Sequence, residues 1–309
     1  MELSGIRQRQ LLPVSRDDID ISKWKSGDEP IIMSSVVDGK VVEHKPYDFT
    51  NIFHSIPAPV DESKEQIEQE PIENLDYGKV QLYINHIKLS FDNAENSKSK
   101  ITEFITCMEG MSGIKTRHFY NNLLNIEDAR YLEIGTWKGS SVCSAMCGNK
   151  AKVTCIDNWS EFGGPKGEFL ANYEKFKGDN DANFIEEDCY KVDVSTLSKF
   201  NIYMYDGNHS NENHYKALLH YYKCLDDVFI FIVDDWNWED VRDGTIKSIQ
   251  KLNLKVLYER EIRPTMDNSH TPYTDATHNW WNGIYVAVLQ KQNLCELNRL
   301  SLNDSTTGE

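Results

Sequence analysis

Several features are missing from this 309-residue sequence, and each absence argues against a class of protein. No cluster of lysine and arginine offsets the net charge of −16, so no surface for nucleic-acid phosphates is expected. No apolar run approaches the ~20 residues of a membrane span, and no charged-then-apolar leader opens the chain. The seven cysteines lack zinc-ligand spacing and favour a reducing compartment. We therefore expect a cytoplasmic protein with neither nucleic acid nor membrane as a partner.

The composition and the pattern of the sequence change near residue 95. Residues 1–95 are polar and irregular, and we interpret them as an N-terminal extension, a lid or an oligomer contact. The Asp38-Gly39 pair between two valine pairs predicts a β-hairpin with a type I′ turn. The run 61–73 is acidic and predicts a solvated linker or a frayed helix. Residues 96–295 form one regular domain, and 296–309 form a polar tail. A homo-oligomer is possible.

Strands and helices alternate through the regular domain. Such alternation predicts an α/β protein with a doubly wound, mostly parallel seven-stranded sheet. Helical spacing is also expected over 101–108, followed by a helix that Ser112 caps. The predicted order is strand 130–134, helix 139–147, strand 152–157, helix 165–176, strand 183–187, strand 201–206, helix 211–225, strand 228–233, helix 238–252, and strands 254–258 and 283–289.

The first motif is the stretch from Tyr131 to Ser141, which passes from an apolar strand through a Gly-x-x-x-Gly turn into a helix. Gly135 and Gly139 allow the backbone to approach a ligand, and the helix behind them offers free N–H groups. Glu133 precedes the turn and would repel a pyrophosphate, but it can accept hydrogen bonds from a positively charged or hydroxylated ligand.

Asp157 ends the next predicted strand, about twenty residues after the glycines, where a doubly wound sheet places a carboxylate on ribose hydroxyls. It could instead cap a turn. A nicotinamide dinucleotide and S-adenosylmethionine both fit this pair of motifs, although the tight Gly-x-Gly-x-x-Gly of dinucleotide proteins is absent. The acidic residue followed by Gly-x-x-x-Gly resembles the first motif of class I S-adenosylmethionine-dependent methyltransferases.

A second group of candidate site residues follows the fourth and fifth predicted strands. Asp206 leads into Gly-Asn-His209, and Asp234-Asp235 ends the continuously apolar strand. Carboxyl ends of parallel strands meet at one edge of a sheet, and massed carboxylates there repel one another unless a cation offsets them. Oxygen ligands suit Mg²⁺. The alternative is that Asp234 and Asp235 cap the next helix and Asp206 closes a turn.

These residues resemble the metal-dependent sugar O-methyltransferases of macrolide and aminocoumarin biosynthesis, over roughly residues 110–290. The resemblance implies that Asp206, Asp234 and Asp235 bind Mg²⁺ and that His209 is the catalytic base. It also implies an S-adenosylmethionine site, whose residues are Glu133, Gly135, Thr136, Gly139, Ser140, Ser141, Asp157, Asn158, Trp159, Asp188, Cys189 and Asp206. Asp188 would face the adenine amino group, or else lie in a solvated turn.

The expected function is therefore S-adenosylmethionine-dependent, Mg²⁺-dependent methylation of a hydroxyl on a sugar or glycan-like small molecule. Trp280 and Trp281 either stack on that sugar or pack in the core, and the stretch 263–281 is a candidate covering loop. Two alternatives remain open. One is a nicotinamide-dependent oxidoreductase on the same scaffold, and the other is a non-catalytic binding module with a degenerate fold.

Overall fold

The computed structural model describes residues 34–37, 40–43 and 77–292, and the chain divides into two compact units. In the smaller unit, β1 (Ser34–Val37) and β2 (Lys40–Glu43) pair antiparallel around the predicted Asp38-Gly39 turn. The turn residues, the acidic linker 61–73 and the tail 296–309 lie outside the described residues.

The larger unit holds a seven-stranded sheet with helices on both faces, which confirms the predicted fold class. Its strands are β3 (Arg130–Ile134), β4 (Lys152–Asp157), β5 (Asp181–Glu186), β6 (Phe200–Tyr205), β7 (Leu225–Asp234), β8 (Lys255–Ile262) and β9 (Ile284–Gln290). Its α-helices are α1 (Tyr77–Glu95), α2 (Glu103–Thr106), α3 (Ile114–Leu124), α4 (Ser140–Met146), α5 (Lys166–Phe176), α6 (Asn211–Tyr221), α7 (Glu239–Lys251) and α8 (Tyr273–His278).

The strand order is β5-β4-β3-β6-β7-β9-β8. Strands β3 to β7 run parallel, whereas β9 lies antiparallel to both β7 and β8. The chain winds outward from β3 to β5 on one side and from β6 to β7 on the other. The crevice between β3 and β6 is therefore the topological switch point, where open α/β sheets bind their ligands.

The central strands form the core because both of their faces are covered by helices. Every residue of β6 is buried, and β7 is buried without interruption from residue 228 to 234. The continuous apolar run that predicted a central strand is thus explained by burial on both faces. Among the described residues, no helix is both long enough and apolar enough to cross a bilayer.

The larger unit takes in the chain from Asp76 onward, so it begins before the predicted boundary at residue 95. Helix α1 buries one stripe of apolar side chains despite the polar composition around it. Phe91 belongs to that stripe, and its ring centroid lies 4.3 Å from that of Phe119 and 5.3 Å from that of Trp280. The buried stripe consists of Val80, Tyr83, Ile87, Phe91 and Ala94.

The segment before α3 also differs from its prediction. The helix expected over 101–108 is reduced to the single turn of α2, and Phe104 on that turn is 68% exposed. Gly113, not Ser112, is the residue before α3, and it makes no side-chain cap. Ser112 is buried instead and hydrogen-bonds Ser140 at 2.9 Å. Its neighbours in space, not its place before a helix, determine its role.

Candidate active site

A cavity of about 840 Å³ opens at the switch point. One end lies over β3, β4 and β5, and the other lies over β6 and β7. Its size is that of a pocket for a cofactor together with a small substrate. The residues predicted to be catalytic or to bind cofactor or metal that line it are Gly135, Thr136, Ser140, Ser141, Asp157, Asn158, Trp159, Asp188, Cys189, Asp206, His209 and Asp235.

Gly135 is required by contact between two strand ends. Its φ of +85° lies in the left-handed region, and a Cβ there would stand 1.9 Å from the backbone oxygen of Asp206. The sequence attributed this glycine to the close approach of a ligand, whereas the structure shows a close approach of β6. Gly139 also has positive φ (+87°) but does not line the cavity. A bulky residue at position 135 would therefore disturb the sheet edge itself.

The Asp157 carboxylate holds the glycine turn in place. Its Oδ2 accepts hydrogen bonds from the backbone N–H of Thr136 (2.8 Å) and Trp137 (2.9 Å). Its Oδ1 accepts one from Trp159 N–H at 2.7 Å. The turn-capping alternative is thus correct for these three contacts, while the carboxylate also faces the cavity. Oδ2 also accepts from Thr136 Oγ1 at 3.4 Å, whereas Oδ1 has one partner among the described residues and can accept one further hydroxyl.

Glu133 does not face the cavity, contrary to the expected role at the methionine end of a cofactor. Its side chain is fully buried, and the carboxylate accepts hydrogen bonds from Tyr131 and Ser141, each at 2.6 Å. Burial raises the pKa of Glu133 to about 8, and these two hydrogen bonds oppose the rise only in part. Glu133 therefore supports the strand end from behind, and Ser141 is the residue between it and the cavity.

Glu133→Gln is expected to remove a pH dependence of stability. The raised pKa means that the folded protein retains a proton that the unfolded chain loses. The free energy of unfolding of the wild type should therefore fall between the ordinary pKa of 4.5 and about 8. Glutamine cannot titrate, so the variant should lose this component of the slope. Urea unfolding at pH 5 and pH 8 measures it, with the exposed Glu127→Gln as the control. A slope unchanged by Glu133→Gln would contradict the assignment.

The remaining residues of the first cavity end come from the loops after β4 and β5. Trp159 is almost fully buried, donates its indole N–H to the Trp137 carbonyl at 2.8 Å and packs on Phe169. It therefore serves both as cavity wall and as core. Asp188 lines the cavity and accepts a hydrogen bond from Tyr190 N–H at 3.0 Å. Burial raises the pKa of the Cys189 thiol to about 12, so it is present as a neutral wall group.

The second cavity end contains a cluster of Asp206, His209 and Asp235. One ligand atom from each of these residues lies within 4.8 Å of the other two. His209 Nε2 is 2.9 Å from Asp235 Oδ2 and 3.7 Å from Asp206 Oδ1. The sequence placed these residues at neighbouring strand ends, and the structure brings them to one point. The two carboxylates offer the oxygen donors that a divalent cation such as Mg²⁺ prefers, and the imidazole lies beside them.

Asp234 does not join this cluster, in contrast to its expected place among the metal ligands. It is the last residue of β7, is 2% exposed, and accepts a hydrogen bond from the backbone N–H of Asp235 at 2.9 Å. The backbone of Asp235 adopts the left-handed region (φ 55°), so its carboxylate reaches the cluster while that of Asp234 does not. Burial raises the pKa of Asp234 well above its ordinary range, with the charges of Asp206 and Asp235 adding to the rise.

The electrostatics of the cluster favour protonation. Burial raises the pKa of Asp206 to about 6, against a hydrogen bond from His209 that lowers it. Burial alone would lower the pKa of His209, but hydrogen bonds to both carboxylates, and their charges, raise it to about 10. A protonated imidazole therefore offsets the negative charge of this end of the cavity, which is the role that a cation would otherwise take.

Three further features of this end were not identified from the sequence. Asn282 donates a hydrogen bond from Nδ2 to Asp235 Oδ1 at 2.7 Å, and its own Oδ1 accepts one from Thr271 N–H. It thus connects the stretch 263–282 to the cluster. The Trp238 ring lies 4.9 Å from that of His209, and His270 also lines the cavity. Asparagines carry no local signature of burial, so only the fold identifies Asn282.

The two tryptophans of the predicted covering loop differ. Trp280 is a core residue, because it is 2% exposed and donates its indole N–H to Glu95 at 2.8 Å. Trp281 lines the cavity, with its ring centroid 5.6 Å from that of His270. Only Trp281 is therefore placed to contact a substrate.

Comparison with known families agrees with the fold and with the position of the cavity. Residues 132–236 match the family described as "Methyltransferase domain". The match begins in β3, before the glycine turn, and ends just after Asp235, so it includes both cavity ends. Over this central part, the chain is similar to that family. A comparison with curated protein sequences gives no match.

Solved structures with a similar fold include TrmN from Thermus thermophilus, at 10% identity and a TM-score of 0.42, where 61% of this chain covers 52% of that one. A putative O-methyltransferase from Klebsiella pneumoniae is 12% identical, with a TM-score of 0.42 and coverage of 66% and 90%. The O-methyltransferase from Bacillus cereus in complex with SAH is 13% identical, with a TM-score of 0.42 and coverage of 68% and 91%. The chain spans about half the length of TrmN.

Proposed function

We propose that this protein is an S-adenosylmethionine-dependent, Mg²⁺-dependent O-methyltransferase acting on a hydroxyl of a sugar or glycan-like small molecule. One observation carries the proposal: a single cavity joins the glycine turn at the end of β3 to the carboxylate–histidine cluster at the ends of β6 and β7. A methyl donor at the first end and a hydroxyl at the second would face each other at the switch point. Transfer from a sulfonium is an in-line displacement, which depends mainly on such alignment.

The first end suits the cofactor by its donor and acceptor groups. Asp157 retains one acceptor position for a ribose hydroxyl, and Asp188 lies in the loop after β5 where an adenine amino group would be met. Trp159 supplies a flat wall beside them. Ser140 lines the cavity at the β3 end, next to the place proposed for the amino-acid part of the cofactor.

The second end suits a cation and a hydroxyl. Asp206 and Asp235 would hold Mg²⁺, and Asp234 would support them through the backbone of Asp235. A bound Mg²⁺ lowers the pKa of a coordinated hydroxyl. His209 would accept the hydroxyl proton at Nε2, the atom that faces the carboxylates. Trp238 and Trp281 provide ring faces, and Asn208 and Asn213 provide polar groups, as a sugar requires.

S-adenosylhomocysteine is expected to stabilise the protein against heat, because it binds only the folded state. A thermal-shift series with this compound, NAD and no ligand measures the effect. At 100 times the dissociation constant the gain is about 2.7 kcal/mol, which corresponds to a rise of several degrees. Stabilisation by NAD alone would instead favour the oxidoreductase, and no shift with either ligand would favour a binding module.

A further inference from the structure

Arg117 is the most unusual charged residue of the larger unit. Its side chain is 3% exposed, and within the described part of the chain no carboxylate forms an ion pair with it. A buried charge without a counter-charge is costly unless hydrogen bonds satisfy it. Burial accordingly lowers the pKa of Arg117 to about 10, which still leaves it charged at neutral pH.

The guanidinium group binds one loop through its carbonyl oxygens. Nη1 donates to the carbonyls of Ile105 and Met108, each at 2.7 Å, and Nε donates to the carbonyl of Ser112 at 3.1 Å. The loop packs closely against the start of α4, since a Cβ at Gly110 would lie 2.2 Å from Cβ of Ser140. Residues 105–112 are thus fixed as one wall of the cavity, which Met111 and Ser112 line.

A chain of two hydroxyl groups leads from Arg117 to the cavity. Nε also donates to Ser112 Oγ at 3.0 Å, and Ser112 Oγ lies 2.9 Å from Ser140 Oγ. We assign Ser112 as the donor to Ser140, because a hydroxyl that accepts from a cation turns its oxygen toward the charge and its proton away. In the described part of the chain Ser140 Oγ has no other hydrogen-bond partner, and its own proton is left for a group in the cavity.

We propose that Arg117, acting through Ser112 and Ser140, positions the carboxylate of the amino-acid part of an S-adenosyl cofactor. The inference rests on the proposed function and adds two residues to it, Arg117 and Ser112, that carry no motif in the sequence. An anion at Ser140 completes the arrangement, because it supplies the negative charge that the buried guanidinium otherwise lacks. Charge-assisted hydrogen bonds of this kind are stronger than neutral ones. Arg117 is a positioning residue and makes no direct contact with the ligand.

Two ligands separate this role from a general effect on the loop. S-adenosylhomocysteine and 5′-methylthioadenosine share adenine, ribose and sulfur, but only the first carries an amino-acid carboxylate. Titration calorimetry with wild type, Ser112→Ala and Arg117→Met should show the affinity for S-adenosylhomocysteine falling about tenfold or more in each variant, as for a lost charged hydrogen bond. The affinity for 5′-methylthioadenosine should remain within about twofold of wild type.

Ser160→Ala is the matched control, because Ser160 lines the same cavity but bonds only Asn158 among the described residues. It should change both affinities by the same factor or neither. Ser112→Ala decides the case if Arg117→Met does not fold, since the Ser112 carbonyl still accepts from Arg117. Equal losses for both ligands in Ser112→Ala, or no loss, would overturn the inference. A wild type that binds neither ligand would contradict the proposed function itself.

Discussion

Dialysis against EDTA is expected to abolish methyl transfer, and added Mg²⁺ is expected to restore it. The physical reason is the concentration of acidic groups at the ends of β6 and β7, where burial raises the pKa of Asp206 to about 6 and that of Asp234 well above its ordinary range. Without a cation this negative charge is offset by protons, and no group remains to activate a hydroxyl. The expected loss is at least about 10³-fold, because activation by the metal is worth several kcal/mol.

Asp235→Asn is the sharpest variant for this site. Asparagine tolerates the left-handed backbone at position 235 (φ 55°), so the change removes a charge without adding strain. Mg²⁺ binding by calorimetry should be lost, while affinity for S-adenosylhomocysteine should persist at the other end of the cavity. Asp240→Asn, an exposed residue of α7, is the control. Full activity in EDTA would contradict the metal role and leave Asp206 and Asp235 as partners of His209 alone.

Much of the fold can be predicted from local sequence, because a strand that is buried on both faces is a continuous apolar run. The bounds of β3 and β4 agree with those predicted, since short apolar runs there end abruptly at Gly135 and at Asp157. Helix α1 was missed because its apolar stripe of every third or fourth residue lies within a polar stretch. The stripe itself was visible, as Tyr83, Ile87 and Phe91 show.

Many residues that line the candidate site could be named from the sequence, but the direction in which each side chain points could not. Adjacent residues at a strand end face opposite ways, so Asp234 and Asp235 could not both reach the cavity unless the backbone turned. Glu133 shares a face of β3 with Tyr131, and its carboxylate there bonds Tyr131 and Ser141 of α4, not a ligand. Arg117 binds backbone carbonyls, and Asn282 binds the carboxylate of Asp235, which is distant in sequence. Neither arrangement has a local sequence pattern.

His209→Ala is expected to lower turnover by about 10²- to 10⁴-fold, the usual contribution of a positioned base. Affinity for S-adenosylhomocysteine should be retained, because His209 lies at the far end of the cavity from Asp157 and Asp188. The exposed His278→Ala is the control and should be neutral. A near-normal rate in His209→Ala would mean that the histidine only balances charge.

The pH dependence separates these two roles of His209. In protein free of cation, hydrogen bonds to Asp206 and Asp235 raise the pKa of His209 from 6.5 to about 10, so the protonated imidazole stabilises the fold. That stabilisation is complete below 6.5 and is lost as the pH rises through about 10. In EDTA, the difference in unfolding free energy between wild type and His209→Ala should therefore shrink over this range. If Mg²⁺ binds the two carboxylates, its charge would lower the pKa of His209, and the neutral imidazole could then accept a proton. Rates measured with saturating Mg²⁺ should then show an acidic limb in wild type that His209→Ala lacks, whereas an identical limb in both proteins would assign it to another group.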